Sequence, residues 1–195
     1  DVVLSAGSNH NLKGYYQSEK YFKHCEVDIR RRFTFNDAIT RKIDTTIVNL
    51  KKSFNNRPIV AIHIRMGDYV KLQDNYVCLI KTDYYMNAIN KMCGLVSNPI
   101  FHLFSDDKLA ATDYLNSTGC DFVVTNQTLP ADEDMCLMSK CDHNIIANSS
   151  FSWWGSYLNN NPNKIVIAPT KDKWFAKNYA HWNVDDLYLN NWMLV

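Results

Sequence analysis

A chain of 195 residues with 46% hydrophobic and 13% aromatic residues suits one large domain and excludes disorder over most of its length. Its 21 basic and 20 acidic side chains leave a formal net charge of +1, which removes the electrostatic basis for a nucleic-acid binder. No run approaches the roughly eighteen apolar residues of a membrane-spanning helix, and the few glycines and prolines exclude repeat-rich or collagenous architectures.

The chain opens at Asp1 with neither an initiator Met nor a signal-peptide pattern, the expectation for a piece of something longer. Gly14 to Phe22 is aromatic and starts a short helix-like stretch, and Arg30-Arg31-Arg32 reads as a solvated basic face. Ile39, Ile43, Ile47 and Leu50, spaced by three or four, predict a helix over Asp37 to Phe54. Residues 1–55 therefore read as a partial, mainly helical N-terminal or linker region.

From Pro58 onward short apolar runs alternate with amphipathic segments. The runs Ile59 to Ile64, Ile100 to Phe104, Phe122 to Thr125, Asn144 to Ala147 and Ile165 to Ala168 predict strands. Between and after them, Asp83 to Leu95, Asp107 to Leu115, Asp132 to Cys141 and Phe151 to Leu158 predict helices. This alternation predicts an α/β fold for residues 56–195: a Rossmann-like, doubly wound parallel sheet, whose ligands bind beyond the carboxyl ends of the strands.

The residues after each strand are thus the candidate site. After the first, Arg65 leaves at a Gly-containing turn where its planar fork of donors suits a phosphate. Asp68 could orient Arg65, cap the turn, act as a base, or only bridge strand to loop. After the second come Ser105-Asp106-Asp107, which suit either a nucleotide's base and ribose or a helix cap. After the fourth, Asn148-Ser149-Ser150 opens a helix, an anion site by its N–H groups and dipole or an ordinary Ser cap. The neighbouring Phe151, Trp153 and Trp154 read as core before ligand stacking.

Asp132-Glu133-Asp134 has the form of a metal-holding D-x-D, but it follows Pro130 at a helix start, so no divalent metal is implied. The six cysteines contain no C-x-x-C and lie mostly in apolar stretches, which predicts reduced, buried thiols. Cys141-Asp142-His143 finds no second pair at zinc-ligand spacing. Sequons at Asn116, Asn126 and Asn148 do not establish a secretory route.

His63-Ile64-Arg65-Met66-Gly67-Asp68-Tyr69 resembles the H-x-R-R-G-D-Y motif of the α-1,2-fucosyltransferases, glycosyltransferase family 11. Asp134 to Trp154, ending in Asn148-Ser149-Ser150-Phe151-Ser152-Trp153-Trp154, resembles that family's second long signature. Gly14 to Phe22, Thr82-Asp83-Tyr84-Tyr85, Pro169 and Trp174-Phe175 match further blocks, so the resemblance covers almost the whole chain.

The resemblance implies the GDP-fucose-binding half of a two-domain, GT-B-like inverting enzyme, moving L-fucose to the 2-hydroxyl of a terminal galactose on a glycan acceptor without metal or other cofactor. By analogy with related fucosyltransferases, His63 and Asp106 would bind the guanine end. Arg65 would hold the β-phosphate, and the turn at Asn148, Ser149, Ser150 and Phe151 would take the pyrophosphate. The resemblance does not identify the general base: Asp68 is the candidate in this chain, with a group upstream of Asp1 or a water relay as the alternatives. Met66 stands where many members carry a second Arg, which removes the expectation of a second cationic phosphate contact.

The family's N-terminal Gly-Gly-Leu-Gly-Asn-Gln block is missing, so the acceptor-side region is expected upstream of Asp1. A non-catalytic GDP-sugar-binding module, an inactive fragment or a transferase for another sugar nucleotide are the alternatives. Bacterial members are cytoplasmic or membrane-peripheral and animal members act in the Golgi lumen; reduced cysteines favour the former.

Overall fold

The computed structural model describes residues 18–125 and 129–195. Gly14 to Gln17 and the Asn126 sequon lie outside the described residues. Helix α1 (Glu26–Arg32) and helix α2 (Asp37–Ser53) precede the first strand. The Asn36 side chain caps α2 by accepting the Ile39 N–H at 2.9 Å, and the helix packs its Ile39, Ile43, Ile47 and Leu50 stripe inward, Ile43 fully buried.

The basic run belongs to α1 and is only partly a solvated face. Arg31 pairs with Asp28 at the surface. Arg30 instead pairs with Glu26 one turn earlier, donates to the Tyr157 carbonyl at 2.9 Å and lies 4.3 Å over the Tyr157 ring. A guanidinium stacks on an aromatic face and donates in plane at once, which a charge count along the chain does not register.

Strands β1 (Ile59–Ile64), β2 (Ile100–Ser105), β3 (Phe122–Val124), β4 (His143–Ile145), β5 (Val166–Ala168) and β6 (Met193–Leu194) form one sheet in the order β3-β2-β1-β4-β5-β6, every neighbouring pair parallel. Five fall where the apolar runs predict them. The sixth was not predicted, since two residues are too few to show alternation.

All six residues of β1 are buried, as both faces of a parallel sheet must be. Val60, Ile62 and Ile64 pack with helices α3 (Tyr84–Leu95) and α4 (Lys108–Asn116) on one face. Ile59 and Ala61 pack with α2 and helix α5 (Ala131–Lys140) on the other. Helix α6 (Ser150–Tyr157) joins Trp153 and Tyr157 to Val166, Ala168, Trp174 and Trp192 in an adjoining cluster. The fold is therefore a doubly wound, Rossmann-like α/β sheet.

Two α3 tyrosines fix the strand ends. Tyr85 donates to the His63 carbonyl at 2.9 Å, and Tyr84 donates to the Ile146 carbonyl at 2.5 Å. Against α5, α6 presents Gly155. A Cβ there would come within 2.9 Å of Met138 Cγ and nearer still to its sulfur, and Met138 is fully buried. Gly155→Val is expected to lower the urea-unfolding free energy by about 1–3 kcal/mol through overpacking, and an unchanged midpoint would contradict this contact.

All six cysteines are free thiols, with Cys78, Cys136 and Cys141 buried and Cys93 exposed. Burial pushes the Cys136 thiol up to about 11 and raises Cys141 as well. No helix among the described residues is long and apolar enough to cross a membrane.

Candidate functional site

The chain winds outward from β1 through β2 to β3, then returns to place β4 on β1's other side. That reversal makes the β1–β4 boundary the switch point, where a crevice opens beyond the strand ends. The turn after β1 and the start of α6 after β4 meet there. Tyr69 Oη donates to the Asn148 carbonyl at 3.0 Å, and the His63 and Phe151 rings lie 5.6 Å apart.

Arg65 is half-buried and held from two sides. Its Nη2 lies 2.7 Å from Asp68 Oδ1, its Nη1 lies 2.9 Å from Asp106 Oδ2, and its Cζ sits 5.4 Å from the Tyr69 ring centre. Both carboxylates orient the fork while competing with any anion that approaches it. Asp68 thus makes the strand-to-loop bridge and orients Arg65.

Asp106 also accepts the Met66 N–H at 2.9 Å. Gly67 permits this approach, because a Cβ there would lie 3.2 Å from Asp106 Cγ and nearer its Oδ2. Capping falls to Asp107 alone, which accepts the Ala110 N–H at 3.1 Å. Met66 is buried in the core on the α3 side, so its side chain packs.

His63 is buried at the end of β1, and its Nδ1 has no hydrogen-bond partner among the described residues. Desolvation, with a smaller contribution from Arg65, pulls its pKa down to about 3. His102, buried on β2 with Nε2 2.9 Å from Thr125 Oγ1, is pulled down to about 4 by burial and by Lys108. Both values lie below that of an unfolded histidine, near 6.5. The unfolded chain therefore takes up protons first as pH falls. Stability is complete above pH 6.5 and declines below it toward pH 3–4, by about 1.4 kcal/mol per pH unit for each histidine. Urea midpoints should fall from pH 7 to pH 4.5 and fall less steeply in His102→Gln; a flat profile would contradict the burial of these rings.

On the β4 side, Ser149 caps α6 by accepting the Phe151 N–H at 3.3 Å, and Ser150, the first helical residue, faces solvent. The Trp153 N–H closes on the Ser149 carbonyl and the Phe151 N–H on the Ser149 side chain, so the Ser150 and Ser152 amides are those this helix start offers to an anion. Trp153 is core, while Trp154 stacks on Phe33 at 4.7 Å.

Asn148 is engaged differently from its neighbours. Its Nδ2 points at the carbonyls of Val77, Lys173 and Trp174 at 2.9, 3.1 and 3.0 Å, drawing two loops to the end of β4. This engaged, buried amide cannot serve as a sequon acceptor in the folded chain, whereas Asn116 is exposed.

The acidic triplet opens α5. Asp132 Oδ1 accepts the Glu133 N–H at 3.0 Å, Glu133 pairs with Lys42, and burial raises the Asp134 pKa. A separate cleft of about 860 Å³, lined by Phe35, Asp44, Lys140 and Asn160 among others, lies by Asp142 at the amino end of β4. It is remote from the strand carboxyl ends, where Arg65 and Ser150 lie. Tyr69 is the site residue that strand-end reasoning passed over, although it stands inside the same motif as Arg65.

The family model "Glycosyl transferase family 11" matches residues 4–195. The chain is 31% identical over 193 residues to "O-antigen biosynthesis glycosyltransferase WbnK" of Escherichia coli, covering 97% of this chain and 62% of that protein. It is 34% identical over 171 residues to "Alpha-1,2-colitosyltransferase" of Escherichia coli, covering 84% and 56%. It is 27% identical over 154 residues to "Galactoside 2-alpha-L-fucosyltransferase SEC1" of Bos taurus, covering 75% and 41%. The chain thus spans less than two thirds of the length of each of these relatives. Among solved structures, POFUT1 in complex with GDP-fucose aligns with a TM-score of 0.41 at 12% identity, over 65% of this chain and 43% of that one, too slight a likeness to bear on function. The match along nearly the whole chain and the relatives on either side of 30% identity agree: the chain belongs to glycosyl transferase family 11.

Proposed function

We propose that the protein is an inverting galactoside α-1,2-fucosyltransferase, in which residues 56–195 bind GDP-fucose and a galactose-terminated glycan supplies the acceptor hydroxyl. The observation that carries this reading is the meeting of the turn that follows β1, which carries Arg65, with the capped start of α6 across the switch point, bringing a cation and a helix N-terminus to one crevice. Both offer hydrogen-bond donors to a pyrophosphate, and on this reading transfer proceeds without metal. Asn148 fastens the loops around the crevice, and the buried His63 ring, beside Phe151, stands at the side proposed for the guanine end.

The galactose 2-hydroxyl oxygen attacks the anomeric carbon as the bond to the β-phosphate oxygen breaks, and GDP leaves with the electron pair. Arg65 and the α6 amides stabilise the charge gathering on that oxygen. Donor phosphate that takes over Arg65 frees Asp68 to accept the hydroxyl proton.

The similarity to the colitosyltransferase favours a second donor, GDP-colitose, at the same site. Calorimetry with GDP, followed by transfer assays with both GDP-sugars and a β-galactoside, decides between them. Fucosyl transfer that survives EDTA supports the first reading. GDP binding without any transfer would identify a binding module, and loss of activity in EDTA would overturn the metal-free mechanism.

A further inference from the structure

An aromatic column runs outward from the site residue Tyr69, beside Arg65, toward the surface. Tyr69, within reach of the Arg65 guanidinium, stacks on Tyr76 with centroids 4.2 Å apart and planes 6° apart. Tyr76 meets Tyr179 at 5.8 Å, and Tyr179 stacks on Trp182 at 4.3 Å and 17°. Phe175 braces the column, touching Tyr76, Tyr179 and Trp182.

The backbone beneath it is fastened as well. Ala176 N–H donates to the Asn75 carbonyl, Asn178 N–H donates to the Asp74 carbonyl, and Asn148 ties the base of both segments to β4. At the outer end Trp182 is packed on Tyr179 yet remains 39% exposed. Trp153, Trp174 and Trp192 are all buried.

We propose that Trp182, carried on this column, is the stacking platform for the pyranose acceptor; the inference rests on the reading of the crevice as a glycosyl-transfer site. The argument is one of position and chemistry. The attacking hydroxyl must lie beyond the phosphate that Arg65 holds, and the column leads from Arg65 in unbroken ring contact. Galactose, with its axial 4-hydroxyl, gathers the C3, C4 and C5 hydrogens on one face. That apolar face covers an indole while the hydroxyls stay at the rim, as aromatic linings with a few polar groups do in ligand sites. A column locked by stacking and backbone bonds presents the ring at little ordering cost.

The test is performed on the protein with saturating GDP, titrating lactose and following tryptophan fluorescence and ligand-observed NMR, neither of which needs turnover. Wild type should show saturable lactose binding. Trp182→Ala should weaken it on the order of tenfold, Trp182→Phe should retain most of it, and GDP affinity should be unchanged in both. In the transfer assay the same loss should appear in acceptor KM with kcat little altered. Lactose affinity unchanged in Trp182→Ala overturns the platform, as does a parallel loss of GDP affinity, which marks a structural role. Wild type that binds lactose in this way but transfers no fucose sinks the proposed reaction and leaves the platform standing; wild type without lactose binding overturns the platform alone.

Discussion

Arg65→Ala is expected to lower kcat/KM for fucosyl transfer by on the order of 10²-fold or more, with its effect on folding stability within about 1 kcal/mol. The two effects separate because of where the side chain stands. About a third of the side chain is exposed, and its bridges to Asp68 and Asp106 reach carboxylates that are themselves open to water. Solvent screens such pairs, so the folded state gains little from them. In the proposed transition state the same guanidinium faces charge that was not there before, in a crevice from which the donor would displace water. Arg65→Lys tests the geometry: a point charge without the fork loses the simultaneous hold of Asp68, Asp106 and phosphate, so its activity should fall between wild type and Ala. Near-normal kcat/KM in Arg65→Ala would remove the phosphate role, and a matching loss of stability would reduce Arg65 to a strand-to-loop brace.

Asn148→Ala is expected to cost about 2–4 kcal/mol of stability, and Asn148→Asp more. In the wild type the two hydrogens of one buried NH2 group are shared among the carbonyls of Val77, Lys173 and Trp174, which belong to two loops far apart in sequence. Alanine leaves those carbonyls without that donor, each orphaned buried acceptor costing about 1–3 kcal/mol before the loops relax. Relaxation lowers the sum, and so does loss of Oδ1, which has no partner among the described residues. Aspartate is worse because it aims an acceptor, and a charge, at carbonyl oxygens. Urea unfolding gives the size, and hydrogen exchange in segments 69–79 and 173–183 should show both loops loosening together. If Asn148 serves the donor directly instead, stability will stay within about 0.5 kcal/mol and donor KM alone will rise.

These two residues mark different depths of legibility. The place of Arg65 was readable because it is local: a strand-ending apolar run, a Gly-containing turn and a fixed cation lie side by side in Ile59 to Asp68. The same holds for Ser149 as the cap of α6 and Asp107 as the cap of α4. Asn148 was placed at the site by its neighbours, yet what its amide does depends on Val77 and Trp174, which no spacing connects to it. Asp106 stood next to a cap and shared its chemistry. Only the approach of Gly67 separates it from Asp107, turning it to the Met66 N–H. Helix α1 went unseen because it is short and presents charge, and its Arg30 is ordered by Tyr157 from the far end of the chain.

The sequence by itself determined the alternation of strands and helices, the residues at the strand ends and the family to which the chain belongs. Apolar periodicity reports burial, burial is imposed residue by residue, and motifs lie contiguous in the chain. Only the tertiary structure decided that β4 lies beside β1, that Asp106 and Asp68 share one guanidinium, and that Tyr69, Tyr76, Tyr179 and Trp182 form one column. Strand order and the pairing of distant side chains arise from packing both sheet faces at once, and that constraint is distributed over the whole domain.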